Sequence, residues 1–148
     1  MSLQTPTQKM SKSHKSQWSR ILITDTPEEI NKKIMSAVTD SDNSVSYDPV
    51  ARPGVSNLLR LLSCFDDDGR TPAQLALDLY SRNAGLGMLK KRVSESIIAA
   101  MGGIRERYLR FLTEDEGAFI DHVAAEGARK ARQRADETMT IVREAVGL

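Results

Sequence analysis

Apolar residues along this chain recur mostly at intervals of three and four, and strict alternation is nearly absent. That is the period of helices that bury one face. The first such stretch follows Thr26-Pro27-Glu28-Glu29. Thr26 can accept from the backbone N–H of Glu29, and Glu29 can reach back to Thr26. Pro27 sits at the first helical position, where a missing N–H costs nothing. Acidic Glu28 and Glu29 at the start, with Lys32 and Lys33 later, suit the helix dipole. Ile30, Ile34, Ala37 and Val38 then form one face, and the spacing predicts an end near Thr39. A second helix opens at Pro53, with Val55, Leu58, Leu59, Leu62 and Phe65 as its buried stripe and Asp66-Asp67-Asp68-Gly69 as its stop. Thr71-Pro72-Ala73-Gln74 repeats the capping logic for a third, in which Leu75, Leu77 and Leu79 face inward, before Asn83, Gly85 and Gly87 break it.

A longer stripe runs Leu89, Val93, Ile97, Met101, Ile104, Tyr108 and Leu112. Gly102-Gly103 lies within it, and each glycine costs about 1 kcal/mol against alanine, so a kink or short interruption is expected there. Thr113-Glu114-Asp115-Glu116 reads as another capping box, with Phe119, Val123 and Ala124 as the following face. Gly127 is expected to separate that short helix from a last one striped by Ala128, Ala131, Ala135, Met139, Val142 and Val146. The exception to this period is Ile21-Leu22-Ile23, which predicts a short buried extended segment; Trp18 before it is expected to pack beneath the loop, with stacking on RNA as the alternative. Five or six helices with short connections make a mainly all-α fold, a helical bundle.

Composition adds boundaries. A chain of 148 residues, 40% hydrophobic and 28% charged, fits one globular domain. Its apolar runs fall well short of the roughly 20 residues of a membrane span. Met1-Ser2-Leu3-Gln4 does not open a signal peptide. A lone cysteine, Cys64, permits no internal disulfide and suits a reducing compartment. Asp40-Ser41-Asp42 and the three aspartates 66–68 read as solvated loops, and no protein-held metal is expected. His122 reads as a surface or half-buried helix residue. Net charge is +1, so any RNA contact must come from a local patch. Lys90, Lys91 and Arg92 form one cluster, and Arg105, Arg107 and Arg110 another. Arg129, Lys130, Arg132 and Arg134 lie off the last apolar stripe and are candidates to bind RNA phosphates. They are equally placed to pair with Glu126, Asp136 and Glu137.

One stretch has no period at all: Lys9-Met10-Ser11-Lys12-Ser13, between Thr5-Pro6-Thr7 and His14-Lys15-Ser16. It reads as a loop, and by composition alone it is also what a polar, basic tail looks like. Ammonium groups and hydroxyls are the donors that hold a polyphosphate.

The letters KMSKS resemble the signature loop of class I aminoacyl-tRNA synthetases, which closes over ATP. The flanks narrow the likeness to the tryptophanyl-tRNA synthetases of the bacterial and organellar branch: residues 1–8, 21–30, Ala37-Val38-Thr39-Asp40-Ser41, Arg52-Pro53-Gly54-Val55-Ser56-Asn57-Leu58-Leu59 and the final 142–148. The resemblance covers essentially the whole chain. It implies residues 1–24 as the loop and the end of a Rossmann-like catalytic domain whose body is absent, and 25–148 as a C-terminal helical domain that contacts the anticodon. Members of that family are more than twice this long, and no His-x-Gly-His-like segment or glycine-rich βαβ unit is present. The chain therefore reads as a C-terminal part, or as a gene product begun too late, inactive alone.

The implied reaction joins tryptophan to tRNA(Trp) with ATP as substrate and Mg2+ carried by the ATP, in an enzyme that is a homodimer at full length. Lys12 and Lys9 are the implied catalytic residues, and Lys9, Met10, Ser11, Lys12 and Ser13 the implied ATP contacts. Relatives usually carry an aspartate directly after the signature, and His14 replaces it here. The wording of 19–25 points to a mitochondrial matrix, with bacterial cytoplasm as the alternative. The rival reading is a non-catalytic helical module that binds RNA or a protein.

Overall fold

The two capping boxes expected at Thr26 and Thr71 form as hydrogen bonds. The Thr26 and Glu29 pair closes at 3.2 and 2.8 Å, and the Thr71 and Gln74 pair at 3.3 and 2.8 Å. The computed structural model describes residues 1–147, with nothing said of the side chains of Asp115 and Glu116. In chain order it has α1 (Pro27–Met35), α2 (Pro53–Cys64), α3 (Pro72–Ser81), α4 (Leu86–Thr113) and α5 (Ala118–Val146), with single 3-10 turns at Gln17–Ser19 and Glu114–Gly117. The fold is all-α, and no strand occurs among the described residues. The chain divides into two compact units, Met1–Arg105 and Glu106–Leu148.

In the first unit, Ile30 and Ile34 of α1 meet Val55, Leu58, Leu59 and Leu62 of α2, Leu75 and Leu79 of α3, and Leu89, Val93 and Ile97 of α4. Leu3, from the loop's base, is buried in the same core. A Cβ on Gly54 would sit 2.3 Å from the Val38 carbonyl oxygen, so only glycine lets α2 start this close to the chain leaving α1.

Several expectations are corrected. α1 ends at Met35 rather than near Thr39. Side chains take carbonyls at and just past this end: Ser36 donates to the Lys33 oxygen, and the Lys90 ammonium donates to those of Met35 and, beyond the helix, Ala37. The Val38 N–H meanwhile bonds the Leu3 carbonyl at 2.8 Å and leaves the helical ladder. Lys90 is thus a strut between α1 and α4, and burial lowers its pKa. Ile21-Leu22-Ile23 is not extended structure: a turn forms there, and Ile23 is 46% exposed. The turn is set by Asp25, which accepts the Leu22 N–H at 2.8 Å. Leu77 points outward at 69% exposure, because Leu75, Ala76 and Leu79 already fill the buried arc of α3.

α4 runs through Gly102-Gly103 without interruption. Its stripe changes character along the way. Leu89, Val93 and Ile97 are buried, Met101 is half-buried, and Ile104, Tyr108 and Leu112 are exposed. Thr113 is not the residue that caps the next helix. Thr113 ends α4 and its hydroxyl donates back to the carbonyls of Leu109 and Arg110. Its expected partner Glu116 lies outside the described side chains. Gly117, at φ 87°, starts α5 instead, and α5 continues unbroken past Gly127. No residue of α5 is buried, so the stripe from Ala128 to Val146 faces solvent within its own unit.

Candidate functional site

Residues 9–13 belong to a long loop that leaves the core and returns to it. Its base is closed by main-chain bonds, Ser2 N–H to the Gln8 carbonyl at 2.8 Å and Leu3 N–H to the Ser19 carbonyl at 3.0 Å. The buried Ser2 hydroxyl accepts from the N–H groups of Gln4 and Thr5 and shapes the outgoing turn. Met10 is half-buried against the core, which anchors the middle of the signature. Lys9, Lys12 and Ser13 are exposed and Ser11 is half-buried. The hydroxyls of Ser11 and Ser13 lie 3.0 Å apart, so the two donors share one side of the turn. Among the described residues no carboxylate pairs with Lys9, Lys12 or Lys15. Unpaired ammonium groups beside paired hydroxyls can chelate an anion bearing several oxygens.

His14 shapes the turn that follows Ser13. Its Nδ1 accepts the Ser16 N–H at 3.1 Å. An aspartate carboxylate makes the same bond two residues ahead in an Asx turn. Trp18 does not pack beneath the loop as expected. It stands 48% exposed on the 3-10 turn Gln17–Ser19, because the buried place there is taken by Ser19.

Two residues that pattern-reading passed over hold this region. Arg20 donates to carbonyls of the loop, at 3.0 Å to that of His14. Lys33 forms a buried ion pair with Asp25 at 2.6 Å. Lys33 carried a signal: it lies three residues after Ile30 and four before Ala37, on the apolar face itself, where a cation requires a partner. Arg20 carried none, since its partners are backbone atoms.

The basic residues of α5 divide. Arg129 and Lys130 both pair with Glu126, at 2.8 and 3.4 Å. Among the described residues Arg132 and Arg134 make no ion pair. A separate apolar groove of about 400 Å³ runs between Val45–Tyr47 and α3, flanked by Tyr47 and Tyr80. It offers no titratable pair suited to proton transfer. Among the described residues no cluster of three His, Cys, Asp or Glu side chains could hold a metal, and no helix is long and apolar enough to cross a membrane.

The family described as tRNA synthetases class I (W and Y) matches residues 1–102. The tryptophan–tRNA ligase of Leifsonia xyli subsp. xyli is 41% identical over 145 residues, covering 98% of this chain and 41% of that protein. That of Bacillus subtilis is 36% identical over 148 residues, covering 100% and 43%. The crystal structure of tryptophanyl-tRNA synthetase from Mycoplasma pneumoniae superposes with a TM-score of 0.69 at 28% identity, over 100% of this chain and 45% of that one. The chain spans about two-fifths of the length of these relatives.

Proposed function

The chain belongs to the class I tRNA synthetases of the tryptophan and tyrosine group, and on that premise we propose that it is the C-terminal part of a tryptophan–tRNA ligase. The observation that carries this is the loop 9–13, with Lys9 and Lys12 free of any carboxylate among the described residues, beside the Ser11–Ser13 hydroxyl pair.

In the first step a tryptophan carboxylate oxygen attacks the α-phosphorus of ATP. The bond from that phosphorus to the bridging oxygen of the β-phosphate breaks, and pyrophosphate leaves. The tRNA terminal ribose then takes the aminoacyl group and releases AMP. Little covalent work falls to the protein, and stabilising charge on the leaving pyrophosphate is its main task. Lys12 supplies that stabilisation, Lys9 adds positive charge, and Ser11, Ser13 and the Met10 backbone donate to phosphate oxygens. Mg2+ arrives with the ATP. A loop whose lysines tighten as charge develops favours the transition state over bound ATP. The full-length enzyme is a homodimer that acts on tRNA(Trp). The relatives reported above are bacterial, which fits the bacterial cytoplasm and lends the mitochondrial matrix no support.

Tryptophan-dependent pyrophosphate exchange tests this reading. The chain alone should show no turnover, since it spans two-fifths of its relatives' length. Joined to the preceding part of the Bacillus subtilis ligase it should turn over, and Lys12→Ala should lower the rate at least ~100-fold, about 2.7 kcal/mol. An unchanged rate in that variant removes Lys12 from the mechanism. One observation favours a second reading, an RNA-binding module: Arg132 and Arg134, without an ion pair among the described residues, on an exposed helix. Salt-titrated binding separates the two. Affinity for tRNA(Trp) over other tRNAs supports the ligase, equal affinity for any RNA supports the module, and no binding at low salt removes α5 from RNA contact.

A further inference from the structure

We propose that Arg20 is a positioning residue, a clasp that holds the loop segment carrying Lys12 in shape for a polyphosphate. The proposal rests on the reading of that loop given above. The two N–H bonds of Nη1 are shared among three main-chain carbonyls, those of Ser11 at 3.3 Å, His14 at 3.0 Å and Ser16 at 3.4 Å. These acceptors bracket Lys12 and Ser13 from both sides, so one guanidinium gathers the ends of the turn that presents them.

The root of the clasp is fixed to the core. Ser19, just before it, is buried and its carbonyl accepts the Leu3 N–H, while Ile21, just after it, packs on the core cluster. The gathered turn closes on itself as well: the His14 N–H reaches the Ser11 carbonyl at 3.3 Å, and the Ser16 N–H reaches His14 Nδ1.

Two further features separate a clasp from a surface arginine. Among the described residues no carboxylate pairs with Arg20, so carbonyl dipoles alone hold its charge. Its Nε is buried without an acceptor. A buried donor left unpaired is unfavourable, so the side chain is kept in place by what Nη1 gains. The charge also suits the role, since a cation that gathers the turn does not repel the phosphates that Lys9 and Lys12 are to meet. Lysine would keep the charge and lose the rigid guanidinium plane that sets where the two N–H bonds of Nη1 point.

Amide hydrogen exchange of the chain itself tests this, with Arg20→Gln and Arg20→Lys compared, each with and without inorganic tripolyphosphate at low salt. Both variants should speed exchange at the His14 and Ser16 amides by at least about 10-fold, less in the lysine variant, while α2 amides stay as they were. The melting temperature should stay within about 2 °C. Tripolyphosphate should slow exchange across 12–16 in the wild type and not in Arg20→Lys. Loop exchange unchanged in both variants overturns the clasp. So does faster exchange spread equally through α2, which would make Arg20 a general stabiliser. Should Arg20→Gln fail to fold, Arg20→Lys alone decides by the same amides. If tripolyphosphate slows nothing in the wild type, the positioning role is overturned while the clasp stands, and the ligase reading is still judged by its own exchange assay.

Discussion

Residues 1–105 and the helix α5 are written in the same alphabet of apolar residues three and four apart, yet they end in opposite states. Every buried hydrophobic side chain among the described residues lies within the first unit. α5 has none, although its stripe from Ala128 to Val146 is as regular as that of α4. Its support is local. Phe111 and Phe119 stack with centroids 5.2 Å apart, Glu126 pairs with Arg129 and Lys130, and Gln133 donates to Glu137. The pairs made by Glu126 and by Gln133, three and four apart, give about 0.2–0.5 kcal/mol each. A fully buried leucine or isoleucine gives about 1.5–3 kcal/mol. Periodicity therefore states that a face is apolar, and only a partner surface makes it a core.

Substitutions can break this contrast, and the largest effect belongs to the buried ion pair. Lys33→Ala strands Asp25 with only the Leu22 N–H for company, and should cost about 3–5 kcal/mol in urea unfolding. A loss under 1 kcal/mol would mean that water reaches Asp25. Next come the stripes. Leu59→Ala in α2 should cost about 2–5 kcal/mol and Val142→Ala in α5 no more than about 0.5 kcal/mol. Equal losses, measured by the same denaturation, would show that something covers α5 in solution.

Caps sharpen the contrast at smaller scale. Thr26→Ala and Thr71→Ala should each cost about 1 kcal/mol, whereas Thr113→Ala, whose hydroxyl donates within its own helix, should cost a few tenths. Thermal melts of the three variants read this directly.

The smallest effect is one of pH. Hydrogen bonds from Arg70 hold the Asp66 carboxyl at about 2, below its ordinary 3.8. A depressed carboxyl adds stability that is complete above the unfolded value and lost as pH falls from about 4 through about 2. Asp66→Asn should flatten the dependence of stability on pH in that window and leave neutral pH less stable. An unchanged acid limb, followed by urea midpoints, would remove Asp66 from it.

Much of the first unit was legible because its signals are local. A threonine three residues before Glu29 or Gln74 specifies a cap whatever the rest of the chain does. Residues 9–13 were legible by their letters, and the structure adds that Met10 faces the core while Lys9 and Lys12 face out. Other features could not be read. The end of α1 was missed because Lys90, far along the chain, takes carbonyls at and just past it. Arg20 was missed because side-chain-to-carbonyl bonds leave no trace in residue type. The burial of Lys33 could have been read, since it interrupts its own apolar face.

By itself, the sequence determined the helices and their periods, the two caps at Thr26 and Thr71, the signature loop and the family to which the chain belongs. These follow from residues a few positions apart, or from the wording of a motif. Tertiary structure alone decided where α1 stops, which half of the α4 stripe is buried, which cations are held inside, and which carbonyls gather around Arg20. Each of those depends on groups that the backbone brings together from separate elements, and spacing along a chain does not encode what lies across from it.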